Sequence, residues 1–136
     1  IERAFQNLNF ALQGAAVSQE LISKPTHTHL GDNCNTFHLP THSNHFYDGE
    51  RHELMTSIYL ETQGSVQVLM VVEGDAVEVT TGKTTHRYNY AETFIIPAAA
   101  ENFHLTNPTD QSVTIIRAFM KSSWFEREEN QWLSLP

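Results

Sequence analysis

The sequence predicts an all-β chain folded as a sandwich or barrel, and three observations predict it. From Met55 onward, apolar and polar residues alternate with a period of two, the spacing of a strand with one buried face. The alternating runs are short and rich in Val, Ile and Thr, which suit a pleated, half-buried surface. Turn-formers separate them: Gln63-Gly64, Gly74-Asp75, Thr81-Gly82-Lys83, Ala98–Ala100 and residues 107–110. Strands are therefore expected over 55–61, 65–73, 76–81, 85–90, 93–97, 101–106 and 112–121.

The flanks read differently. In residues 1–24, Ile1, Phe5, Leu8 and Leu12 fall near helical spacing until Gly14 interrupts. A short N-terminal helical flank is expected, either packed on the body or serving as a connector from an upstream domain. The start at Ile1 rather than Met favours the connector. Residues 25–52 are polar and histidine-rich, punctuated by Pro25, Gly31, Pro40 and Gly49, so loops and short strands are expected. The tail reads as a closing helix over 122–135. Ser123 is its N-cap, Glu126, Glu128 and Glu129 lie in its early turns, and Trp124, Phe125 and Trp132 form its apolar face. The whole of 1–136 is expected to be one domain, with the barrel over 34–121.

Bulk composition narrows the function. The net charge is -8 and the eight Lys and Arg residues are scattered, which argues against nucleic acid or an anionic membrane as partner. Cys34 is the only cysteine, so no intrachain disulfide forms. No apolar run approaches the ~20 residues of a spanning helix. No signal peptide is visible, and the one Asn-x-Thr triplet is closed by Pro108 after Asn107. A reducing, cytoplasmic setting is expected.

The densest motif is YAETFIIPAAAENFHLTN, residues 90–107. Ala91, Glu92, Pro97, Ala99, Asn102 and Asn107 fall where the second cupin motif places Gly-Asp, Pro-x-Gly-x-x-His and a following Asn. The run VLMVVEGDAVEV ends the first motif at Gly74. Counting back puts Gln67 in the ligand-glutamate slot, and Glu61 and Gln63 (or Leu60 and Thr62) in the His-x-His slots. The chain thus resembles a cupin, which implies a β-sandwich or jelly-roll barrel, with the ligand positions reading Glu, Gln, Gln, Asn. Neutral amides are poor donors for a transition ion, so no metal is expected in that slot.

A polar lumen is expected to survive the loss of ligands, its groups satisfying one another or a buried water ahead of binding a ligand. If Gln67 points inward, so do Leu69 and Val71; if Asn102 points inward, so does His104. Arg117, on the Val113/Ile115/Phe119 face, is the base expected to meet an anion in the barrel or to pair with Glu73 or Glu78. The candidate pocket is thus Gln67, Asn102, His104, Glu61, Gln63 and Arg117. Six histidines crowd between His27 and His52, and His38, His42 and His45 form an alternative metal site. Ser43 between His42 and His45 is no triad by sequence adjacency, and no G-x-S-x-G is present.

The phrases LPTHSNHFYD, VLMVVEGDAVEV, YAETFIIPAAAENFHLTN and SVTIIRAFMK also resemble the C-terminal cupin region of type I mannose-6-phosphate isomerases. That resemblance implies a role in carbohydrate metabolism. In that family zinc and the catalytic groups lie mostly in an upstream half, so no catalytic residue is carried over to this chain. The expected function is a non-catalytic, metal-free cupin domain supporting a separate catalytic half, with zinc only in that half or on the histidine cluster. Expected partners are the upstream catalytic domain or a homodimer mate. The alternatives are a standalone cupin binding a small sugar, and a metalloenzyme using the His27–His52 cluster.

Overall fold

The structure, a computed structural model, describes residues 13–122. The expectations for residues 1–12 and for the tail helix beyond Ser122 lie outside the described residues. Of the N-terminal flank, a single π-helical turn, Val17–Leu21, is present.

Ten strands make up the described residues: β1 (Thr26–Leu30), β2 (Cys34–Leu39), β3 (Tyr47–Leu54), β4 (Ser57–Glu61), β5 (Gln67–Glu73), β6 (Ala76–Thr81), β7 (Thr84–Asn89), β8 (Thr93–Ile96), β9 (Asn102–Thr106) and β10 (Val113–Met120). They form two antiparallel sheets. One has the order β1-β2-β3-β10-β5-β8 and the other β4-β9-β6-β7. Every strand expected after Met55 is present within two residues of its expected bounds.

The two sheets face each other over one apolar core. Alternation decides which side chains enter it: Leu69 and Val71 from β5, Phe94 and Ile96 from β8, Phe103 and Leu105 from β9, Val77 and Val79 from β6, Val113 and Ile115 from β10. Tyr88 stacks on Phe94, with ring centroids 4.0 Å apart. Gly74 makes the turn between β5 and β6 at φ +90°, where a Cβ would come within 2.9 Å of Ser112 O and of Val113 Cα. Only glycine fits there, because both the backbone conformation and the space exclude a side chain. Asn107 is a clamp as well. Its amide donates to Leu54 O, Met55 O and Gln111 O, and its oxygen accepts from Thr109.

The stretch before Met55, expected to hold loops and short strands, contains the eight-residue β3, a central strand between β2 and β10. Its period-two pattern is present but inverted in chemistry: Asp48, Glu50 and His52 point inward and Gly49, Arg51 and Glu53 outward. A strand whose core-facing positions are polar carries no hydrophobic alternation to read.

Candidate functional site

Residues directly opposite in neighbouring strands share a face, so the register lays out the lumen in rows. At the apolar end Cys34, Leu54 and Val113 stand side by side. The next row is Thr36, His52, Ile115 and Val71, and the one after it His38, Glu50, Arg117, Leu69 and Phe94. Asp48, Phe119, Gln67 and Ile96 end the series. The lumen passes from aliphatic to charged within two or three residues of strand.

Arg117 is the hub of the charged end. Its side chain is 8% exposed. Nε donates to Gln67 Oε1 at 2.7 Å, Nη1 to Glu50 Oε2 at 3.0 Å and Nη2 to Glu61 O at 2.8 Å. The guanidinium also lies over the Phe119 ring, 4.9 Å from its centroid. Gln67, fully buried, spends its amide hydrogens on Thr62 O and Ser65 O, at 2.8 and 2.9 Å. Every polar atom of this pair is therefore committed, as a buried polar network requires.

Glu50 links that hub to a second chain of groups. His52, fully buried, shares a hydrogen bond with Thr36 Oγ1 through Nδ1 at 3.0 Å. Its Nε2 lies 3.3 Å from Glu50 Oε2 but makes no hydrogen bond of ordinary geometry. Burial pushes the Glu50 carboxyl up, but His52 and Arg117 outweigh it and hold the group below its ordinary value. Asp48 is lowered too. Burial opposes the shift, and the hydrogen bonds from His38 (2.7 Å) and from the Thr41 backbone N–H override it. Cys34 sits beyond Thr36, where burial pushes its thiol up and makes it a poor nucleophile.

Of the expected pocket residues, Gln67 and Arg117 meet in the lumen and the others do not. Asn102 and His104 point away from it, because Phe103 and Leu105 occupy the inward positions of β9. His104 instead packs edge-on against Tyr59 on the outer surface. Glu61 contributes its carbonyl oxygen, while its side chain is exposed; Gln63 is an exposed turn residue at φ +52°. The acid that pairs with Arg117 is Glu50, not Glu73 or Glu78, since β3 lies beside β10 with Glu50 opposite Arg117. Glu73 is on the other face and accepts from Thr114. Sequence reading missed Glu50, His52 and Thr36. The available signal was the period-two spacing of Asp48, Glu50, His52 and Leu54, legible only once a buried Arg117 demands a polar face.

The histidine cluster disperses. His38 is taken by Asp48, and His42 Nδ1 accepts from the Asn44 N–H. The His42 and His45 rings are 5.9 Å apart, and His45 stacks on Tyr47. His27 packs on Phe37, and His52 is inside the barrel. Among the described residues no group of three or more His, Cys, Asp or Glu side chains is arranged to hold a metal ion. The strands and loops that carry the cluster thus send its rings to different surfaces. The ligand slot of the motif does not fit a metal either. Gln67 offers a committed neutral amide, and the Arg117 guanidinium 2.7 Å away brings positive charge to where an ion would bring its own.

A cavity of about 350 Å³ opens beside this network, lined by Thr62, Gln63, Gly64, Ser65, Phe119, Met120 and Ser122. No helix among the described residues is long and apolar enough to cross a membrane.

No family model and no curated protein matches the sequence. Solved structures do match. The Cnp3 cupin domain of Schizosaccharomyces pombe is similar at 15% identity and TM-score 0.59, covering 75% of this chain and 74% of that one. A Cupin 2 conserved barrel domain protein from Salinispora arenicola is similar at 14% identity and TM-score 0.59, covering 76% of this chain and 88% of that one. The mannose 6-phosphate isomerase of Bacillus subtilis is similar at 12% identity and TM-score 0.57, covering 71% of this chain but 28% of that one. At such identities it is the architecture that is shared, and that architecture, two antiparallel sheets rolled around one lumen, is the cupin fold.

Proposed function

We propose that this chain is a metal-free, non-catalytic cupin domain whose lumen has been turned from a reaction site into an internal brace. The observation that carries this reading is the Arg117 guanidinium, fixed by Gln67, Glu50 and Glu61 O in the space where the fold would otherwise gather metal ligands. A fixed cation repels a metal ion, and a guanidinium whose three nitrogens each donate to the protein itself is held as structure. The finer reading is a domain of a cytoplasmic, mannose-6-phosphate-isomerase-like protein, supporting a separate catalytic half. The sequence phrases and the likeness to the Bacillus subtilis isomerase favour it, although this chain spans little more than a quarter of that enzyme. The test is metal analysis of the chain prepared with zinc, iron, nickel and manganese present, together with a mannose 6-phosphate isomerisation assay. Substoichiometric metal and no turnover are expected. A full equivalent of metal, or turnover, overturns the proposal.

A second reading, a standalone sugar-binding cupin, is favoured by the cavity beside the brace. Its exposed Gln63 and Ser122 side chains and its Phe119 ring offer the mix of polar groups and aromatic surface that suits a small polyol. Calorimetric titration with hexoses and hexose phosphates decides it: heat of binding that Phe119→Ala abolishes would support this reading over the first.

A further inference from the structure

Phe119 and Met120 at the end of β10, with Ser122 just beyond it, form one wall of the cavity beside the brace, and the Thr62–Ser65 turn forms the other. The turn is held in place from within. Thr62 N donates to Glu101 O, and the Thr62 hydroxyl donates to Ala98 O. Thr62 O and Ser65 O accept from the Gln67 amide, Glu61 O from Arg117, and the Ser65 hydroxyl from the Met120 N–H. The cavity therefore has a fixed shape, and these polar groups are spent on the fold. What faces an occupant is the Phe119 ring, the Met120 side chain and two exposed, neutral polar side chains, Gln63 and Ser122. Among the described residues no ionisable side chain lines it. A carboxylate or ammonium would lose water there without gaining a counter-charge. An indole, with a large apolar body and a single N–H, suits such walls.

The sequence brings an indole to the rim. Trp124 and Phe125, outside the described residues, follow Ser122 by two and three positions. Two residues of chain span at most about 7 Å, so the tether alone keeps Trp124 beside a residue of the wall. A tether this short gives the pair an effective concentration on the order of millimolar, ahead of a dilute free ligand. The residues that follow do not compete for the seat, since Glu126, Arg127, Glu128 and Glu129 are all charged.

We propose that this cavity is the seat of the chain's own Trp124–Phe125 pair, with the Trp124 indole against Phe119 and Met120. The contact closes the cavity in cis. A small sugar entering there has to displace the pair, so the plug sets the threshold for any such ligand. The seat itself depends on neither reading of the domain's function.

Trp124 and Trp132 are the chain's two tryptophans, so Trp132→Phe leaves Trp124 as the reporter. In the folded 136-residue variant its emission should lie to the blue of the same variant in urea, and acrylamide should quench it severalfold more slowly. Nuclear Overhauser contacts should join the indole to the Met120 methyl or the Phe119 ring. Adding Met120→Glu puts a charge in the wall at a side chain that is only partly buried. It should return emission and quenching toward the unfolded values while the sheets keep their far-ultraviolet circular dichroism. An indole as open to acrylamide in the folded chain as in urea overturns the proposal. So does a shielded indole that lacks those contacts and ignores Met120→Glu, since it then packs elsewhere, such as the apolar outer face of the six-stranded sheet, where Val68, Met70 and Ile95 stand exposed. Metal content, turnover and sugar binding are read separately, so failure of the seat leaves them untouched.

Discussion

At one end of the lumen Leu54, Val71, Val113 and Ile115 pack into a single apolar cluster with Phe103 and Leu105. A few residues further along the same three strands stand Glu50, Gln67 and Arg117. The register between β3 and β10 is continuous from one end to the other, and that between β5 and β10 is broken only by a bulge between Thr114 and Ile115. What changes is the means of holding the sheets together. The apolar end is held by burial and close packing, which tolerate conservative change and punish voids. The charged end is held by a network in which each group exists to satisfy another, so that deleting one strands its partner. The difference teaches that the charged end is an all-or-nothing device: it stabilises as a unit and contributes little piecemeal.

The largest effect is expected at the apolar end. Phe103, 1% exposed, fills the core, and Phe103→Ala should cost about 4 kcal/mol in urea unfolding through lost burial and a residual cavity. Arg117→Ala should cost about 3 kcal/mol, because Glu50 and the Gln67 oxygen lose their donor while still half-buried or buried. The comparison sharpens with the double variant Arg117→Met, Glu50→Gln. If the charged end is a coupled network, removing both charges should recover most of the single-variant loss. If the two losses simply add, the network reading is broken.

A smaller effect is expected from pH. The folded pKa values of Glu50 and Asp48 lie below their ordinary values of 4.5 and 3.8. Their contribution is therefore complete above those values and drains away as pH falls through the lower, folded ones. Acid unfolding should be less steep in Glu50→Gln than in the parent chain; an unchanged profile would mean that Glu50 gains nothing from Arg117 and His52. The smallest effect is expected outside the lumen. The Arg87–Asp75 pair at 3.0 Å is solvent-exposed on both sides, so Arg87→Ala should change stability by less than about 0.5 kcal/mol.

Much of the fold was legible because burial and strand geometry leave a mark in local order. Gln67, Leu69 and Val71 were placed on one inward face by counting residues, and they are there. Counting failed for Asn102 and His104, because a period of two fixes which residues share a face but not which face is inside. Phe103 and Leu105, the more apolar pair, won the interior. No such count was open for β3, because its inward side chains, like Thr36 and His38 of neighbouring β2, are polar, and the signal that marks β5, β9 and β10 is missing.

The sequence by itself determined the all-β architecture, the succession of strands along the chain from Met55 onward and the turn at Gly74-Asp75, since alternation and turn chemistry act over a few residues. Only the tertiary structure decided that Arg117 meets Gln67, Glu50 and the Glu61 carbonyl, contacts spanning 50, 67 and 56 residues of chain. It also decided that the histidines part company and that the six-stranded sheet turns an apolar face outward. These outcomes depend on which strands lie side by side and in what register, and no local pattern encodes a neighbour that distant.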